Sequence, residues 1–144
     1  MNKALFIKKL DHPAIEASIS RAEKITSGEI RVAVVEKPAG NPLSAAQEIF
    51  TQLEMTKTRD RNAVLILVAP SSQTFAVVGD AGVHQKCGQD FWRELTSAME
   101  IYFKEGNFTA GLQHGIERAG QLLATHFPRR SDDENELSDK VIEA

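Results

Sequence analysis

The run Ala63-Val64-Leu65-Ile66-Leu67-Val68-Ala69, the polar turn Pro70-Ser71-Ser72-Gln73 and the return through Thr74-Phe75-Ala76-Val77-Val78 into Gly79-Asp80-Ala81-Gly82 decide the fold. An unbroken apolar run of this length reads as a strand covered on both faces. The short turn and the β-branched return segment make the pair an antiparallel hairpin. A hairpin brings its two ends together, so Asp60-Arg61-Asn62, just before the first strand, meets Gly79-Asp80 after the second at one sheet edge.

Working outward, Glu29 to Glu36 is rich in β-branched residues and stops at Lys37-Pro38-Ala39-Gly40, which reads as another strand. Between it and the hairpin, Asn41-Pro42 opens a helix with Leu43, Ala46, Ile49, Phe50 and Leu53 on one face. Strand, helix, strand with short links is a βαβ unit, so the first two strands run parallel. Upstream, Asp11 caps a helix with Pro13 in its first turn and Ile15, Ile19, Ala22 and Ile25 at helical spacing, ended by Thr26-Ser27-Gly28. Downstream of Gly88 a long helix carries Phe91, Trp92, Leu95, Met99, Tyr102 and Phe103 and closes at Gly106. Asn107 caps the next helix, which puts Phe108, Leu112, Ile116, Ala119 and Leu123 inward and stops at His126-Phe127-Pro128.

The predicted architecture is a three-layer α/β/α sandwich, a small mixed sheet covered by helices, over residues 1–128. Gly111, Gly115 and Gly120 lie inside the last helix, where each costs about 1 kcal/mol against alanine, so close packing is expected there. Residues 129–144 form a charged tail. Ser131-Asp132-Asp133-Glu134 has capping-box spacing and Leu137 with Val141 fits one side of a short docked helix, so a docked helix and a solvated tail both stay open.

A chain of 144 residues, 42% hydrophobic and 26% charged, is one ordinary globular domain. A net charge of −3 with scattered Lys and Arg argues against nucleic acid as a partner. One cysteine, Cys87, excludes an intrachain disulfide and a multi-cysteine zinc site, and fits a reducing compartment. Ala4-Leu5-Phe6-Ile7 falls short of the roughly seven to fifteen apolar residues of a secretory signal, and no run approaches the roughly twenty of a membrane span. The expectation is a cytoplasmic protein with no direct membrane insertion.

Arg61-Asn62-Ala63-Val64-Leu65-Ile66-Leu67-Val68, Phe75-Ala76-Val77-Val78-Gly79-Asp80-Ala81-Gly82 and the stretch from Phe103 to Leu112, in that order, resemble the TPM-domain family. The family takes in a plant thylakoid-lumen protein described as an acid phosphatase, a cyanobacterial photosystem II protein and many bacterial proteins. The resemblance covers roughly residues 8–127 and points to a short soluble bacterial branch, without the signal peptide and membrane helix of many members. It implies a three-layer α/β fold with a phosphatase, metal-binding or partner-binding role. Two residues, Asp80 and Ala81, separate Gly79 from Gly82 where many members have one.

The sheet edge gathers the candidate site. For phosphoester hydrolysis, Asp60 or Asp80 supplies a nucleophile or metal ligand, Arg61 grips phosphate, and His84 gives the leaving oxygen a proton. No phosphatase motif of fixed spacing accompanies them. The hard oxygen donors Glu29, Asp60, Asn62 and Asp80 suit Ca²⁺ or Mg²⁺. As turn residues, Asn62 and Asp80 instead bond backbone groups at strand ends while Gly79 and Gly82 supply positive φ. Three function classes stay open: a non-catalytic interaction or accessory module holding an unknown protein partner, which is favoured, a divalent-metal-dependent phosphatase, and a Ca²⁺- or Mg²⁺-binding structural domain.

Overall fold

The computed structural model describes residues 1–38, 40–130 and 137–144. Helices α1 (Lys3–Lys9) and α2 (His12–Glu23) precede β1 (Glu29–Val34), α3 (Pro42–Gln52), β2 (Ala63–Ala69) and β3 (Thr74–Gly79). Then come α4 (Ala81–Cys87), α5 (Gln89–Lys104), α6 (Phe108–His126) and a two-residue β4 (Ile142–Glu143).

The sheet order is β3-β2-β1-β4. β1 runs parallel to β2, with Glu29 opposite Ala63 and Val34 opposite Val68, and β3 returns antiparallel, with Gly79 opposite Val64. Every residue of β2 is buried, because the strand's alternate side chains enter two different cores. Val64, Ile66 and Val68 join Ile30, Val32 and Val34 against residues of α1, α2, α5 and α6. Leu65 and Leu67 join Ala33 and Val35 against Ala46 and Phe50 of α3. These are the three layers expected from the sequence.

Local signals place the helix starts. Asn2, Asp11 and Asn41 accept backbone N–H bonds from Leu5, Ala14 and Ser44 at 2.8, 3.1 and 2.8 Å. Asn107 sits at the start of α6 but makes no side-chain cap bond. The glycines of α6 are packing residues: a Cβ at Gly111 would lie 2.6 Å from the Phe103 ring, at Gly115 2.5 Å from Met99 Sδ, and at Gly120 2.7 Å from the Ala22 Cβ.

Three elements and one turn feature depart from expectation. Residues 3–9 form α1, a short helix that the brief apolar run did not reveal, and residues 81–87, to which the sequence assigned no element, form α4. Glycine does not supply the positive φ at the edge either: Gly79 is strand and Gly82 is helix, whereas Arg61 takes φ 52°. The tail contains no helix over residues 137–144; it adds β4 to the β1 edge, with Ile142 opposite Ala33 and Glu143 opposite Val34. A parallel ladder needs only an extended segment with apolar residues to bury, and half-buried Val141 and Ile142 supply them. The capping-box residues 131–134 lie outside the described residues.

Candidate functional site

β1 and β2 begin where β3 ends, so Glu29, Asn62 and Asp80 all lie at the edge where β1 and β2 start. α4 starts there too, with Asp80 as its N-cap. The expected juxtaposition therefore forms, but Arg61 and Asp80 are committed to each other and the remaining side chains to other neighbours.

Arg61 bonds Asp80 with both arms of its guanidinium, Nε to Oδ2 at 2.6 Å and Nη2 to Oδ1 at 2.7 Å, and Asp80 Oδ1 also accepts the Ala81 N–H at 2.7 Å. The Asp80 carboxylate is 4% exposed. Its hydrogen bonds, then its charge, push the already high Arg61 pKa further up. The backbone closes the same joint: Gly82 donates its N–H to the Arg61 carbonyl at 2.9 Å, and a Cβ on Gly82 would lie 2.6 Å from the carbonyl oxygens of both Asp60 and Arg61.

The other candidates have different neighbours. Asp60 Oδ2 accepts from Arg130 Nη2 at 2.6 Å. Asn62 is buried, donating its backbone N–H to Thr58 Oγ1 and its Nδ2 to Ser27 Oγ, while its Oδ1 has no hydrogen-bond partner. The His84 ring leans on the Trp92 indole with centroids 5.0 Å apart, and Trp92 in turn packs over Gly79.

Glu29 belongs to a different group. Glu23, at the end of α2, accepts the Ile30 N–H on Oε2 at 3.0 Å and hydrogen-bonds the Glu29 and Asp139 side chains. Burial first, then these bonds and the Glu29 charge, push its pKa up to about 11, so the Glu23 carboxyl is neutral at pH 7. Arg31, two residues along the same strand face, is 8% exposed, and burial pulls its pKa down. Among the described residues, no group of three or more His, Cys, Asp and Glu side chains is arranged to hold a metal ion. The four expected ligands Glu29, Asp60, Asn62 and Asp80 thus do not make one cage.

A cleft of about 320 Å³ opens beside this edge, lined by Ser27, Asp60, Lys86, His126, Phe127 and Arg130, among others. Lys86 Nζ lies 5.0 Å from the Phe127 ring centroid. Lys86, His126 and Arg130 were not predicted for the site. They arrive because Thr26 bridges Pro128 and the Ser27 N–H bonds the Phe127 carbonyl at 2.9 Å, fixing the end of α6 beside the start of β1. The basic pair Arg129-Arg130 following Pro128 was the available sequence signal. Glu23 was legible too, since it continues the buried Ile15-Ile19 face of α2 with an acid.

Among the described residues, no helix is long and apolar enough to cross a membrane. The BA42 protein from the psychrophilic bacterium Bizionia argentinensis has a similar structure, with 40% identity and a TM-score of 0.88 over 92% of each chain. The N-terminal domain of a P. gingivalis protein matches in fold, at 16% identity and TM-score 0.63 over 77% of this chain and 72% of that one. So does the N-terminal domain of the cg2496 protein from Corynebacterium glutamicum, at 13% identity and TM-score 0.61 over 92% and 77%. No curated protein matches the chain. The family model of the TPM domain matches residues 1–122, and the chain belongs to the TPM-domain family.

Proposed function

We propose that this TPM domain is a non-catalytic interaction module, and that its partner surface is the cleft at the end of α6 beside Lys86 and Arg130. The observation that carries this is the Arg61–Asp80 clasp: a carboxylate with both oxygens on a guanidinium and one on a helix N–H is structural, and is poorly placed as nucleophile or metal ligand. Among the described residues, the cleft beside it is lined by Lys86, His126 and Arg130 and by one acid, Asp60, which Arg130 holds, on a chain of net charge −3. Such a patch suits an acidic segment of a partner protein. The lone free thiol of Cys87, its pKa pushed up by burial, fits a cytoplasmic setting.

The test places a photoreactive side chain at Gln85, exposed on the cleft, in the full chain in its source cells. One recurrent cross-linked protein, lost when Lys86→Glu is added, is the expected result. Aryl-phosphate hydrolysis by the purified chain that disappears in Asp60→Asn and Asp80→Asn would replace this proposal with a phosphatase. Absence of a Lys86-dependent cross-link would reject the cleft as the partner surface.

A further inference from the structure

The turn end of the β2–β3 hairpin, opposite the Arg61–Asp80 joint, opens into a cavity of about 640 Å³, twice the volume of the cleft beside α6. That volume lies in the range that holds a small organic ligand. The cavity sits beyond the carboxyl end of β2, the side on which open α/β sheets take their ligands.

Four of the chain's seven phenylalanines line it, and each comes from a different element: Phe6 from α1, Phe75 from β3, Phe103 from α5 and Phe108 from α6. Their rings form one connected series. Phe75 meets Phe103 edge to face with centroids 5.1 Å apart, Phe103 lies 6.0 Å from Phe108, and Phe108 lies 4.9 Å from Phe6. Phe6 is buried in the core beneath, whereas Phe75, Phe103 and Phe108 are half-buried and show ring surface to the cavity. The series is backed from behind as well: the Phe103 ring rests on Gly111, where a Cβ would come within 2.6 Å of it. A wall fixed by contacts among four elements has little to reorganise when a ligand arrives, which lowers the cost of binding.

The mouth supplies polar groups. Its two charged side chains among the described residues, Glu100 and Lys104, stand one turn apart on α5 and pair at 3.2 Å, so a charged ligand finds no uncompensated side-chain charge there. Thr74 Oγ1, beside them, shares a hydrogen bond with Ser72 Oγ at 2.9 Å and keeps further hydrogen-bonding capacity. Rings packed edge to face present both positive edges and negative faces, which a further aromatic ring matches and an alkyl chain does not.

We propose that this cavity binds an uncharged fused-ring aromatic molecule bearing a hydroxyl or carbonyl group, its rings against Phe75, Phe103 and Phe108 and its polar group at the mouth beside Thr74. The site is separate from the partner cleft, so either reading can fail without the other.

The test titrates the ¹⁵N-labelled full chain with 2-naphthol at pH 7 and follows the backbone amide signals. The expected result is a saturable shift confined to residues around the cavity, Phe75 and Phe103 among them. Thr74→Trp, which sets an indole in the mouth from a half-buried strand position, should abolish it. Phe103→Leu keeps an apolar side chain but removes the ring, and should weaken 2-naphthol about two- to tenfold while leaving 1-octanol unchanged. That variant decides the matter if the tryptophan variant does not fold. Binding of 1-octanol as tight as that of 2-naphthol, or no weakening in Phe103→Leu, would overturn the aromatic assignment. Tighter binding of 2-naphthoate or 2-naphthylmethylammonium would overturn the uncharged one. No saturable shift up to the solubility limit of 2-naphthol, or shifts that persist in a folded Thr74→Trp, would overturn the site itself.

Discussion

Arg61, at φ 52°, sets its guanidinium squarely on the Asp80 carboxylate, so the loop before β2 and the helix after β3 are joined through one ion pair. The same two segments are joined through the backbone, since the Gly82 N–H bonds the Arg61 carbonyl. This joint locks the hairpin's open end and defines one wall of the cleft.

Asp80 is both ion-pair acceptor and helix cap, so Asp80→Ala loses two functions together. We expect it to cost at least about 1 kcal/mol, the ordinary loss for a helix cap. Urea unfolding measures it; a cost below a few tenths would mean the clasp is ornamental to the fold.

Arg61 carries a left-handed backbone that glycine adopts freely and alanine does not. Arg61→Gly and Arg61→Ala both delete the ion pair, yet only alanine keeps the strain. The glycine variant should therefore melt above the alanine variant. The reverse order would show that flexibility gained by the unfolded chain dominates at this loop.

Glycines separate by what a new methyl would strike. At Gly82 it meets two backbone carbonyl oxygens at 2.6 Å, which cannot move without breaking the edge; at Gly115 it meets the flexible Met99 thioether. Gly82→Ala should cost about 1–3 kcal/mol, the usual range for overpacking, and Gly115→Ala less, because a rotamer change and gained helix propensity offset the clash. Equal melting temperatures would refute the ranking.

The sheet was readable because its signals are redundant: an apolar run that no exposed strand would carry, a four-residue turn and a βαβ spacing all gave the same topology. The site was readable only as a neighbourhood. That Asp80 and Arg61 would meet follows from the hairpin; that they would neutralise each other depends on side-chain directions set by the φ of Arg61, which an arginine does not advertise. Helix α4 went unassigned because Gly82 in its first turn is a poor helix former, yet close approach to the carbonyls of residues 60 and 61 demands glycine there. The tail strand escaped because its partner contributes the register, and two paired residues leave no periodicity to read.

Glu23 gives stability a pH dependence of known sign. Between its ordinary value of 4.5 and about 11, the folded chain keeps a proton that the unfolded chain releases, so its contribution is complete below 4.5 and declines as pH rises through that window. The slope from this group is at most about 1.4 kcal/mol per pH unit. Glu23→Gln should flatten the fall in urea stability between pH 6 and pH 9. A fall as steep as in the wild type would place the responsible group elsewhere.

Divalent cations test the clasp directly, because a cation at Asp80 has to displace Arg61 from both carboxylate oxygens. A ligand that binds only the folded state at a hundred times its dissociation constant stabilises by about 2.7 kcal/mol, enough to raise the melting temperature visibly. With Arg61 in place, millimolar Ca²⁺ or Mg²⁺ should leave the melting temperature of the wild type unchanged. Arg61→Ala frees the Asp80 carboxylate, so if hard oxygen donors at this edge have any latent affinity it should emerge in that variant alone. A rise in the wild type that vanishes in Asp80→Asn would instead make Asp80 a working ligand, with Arg61 its displaceable stand-in, and would return the edge to metal chemistry.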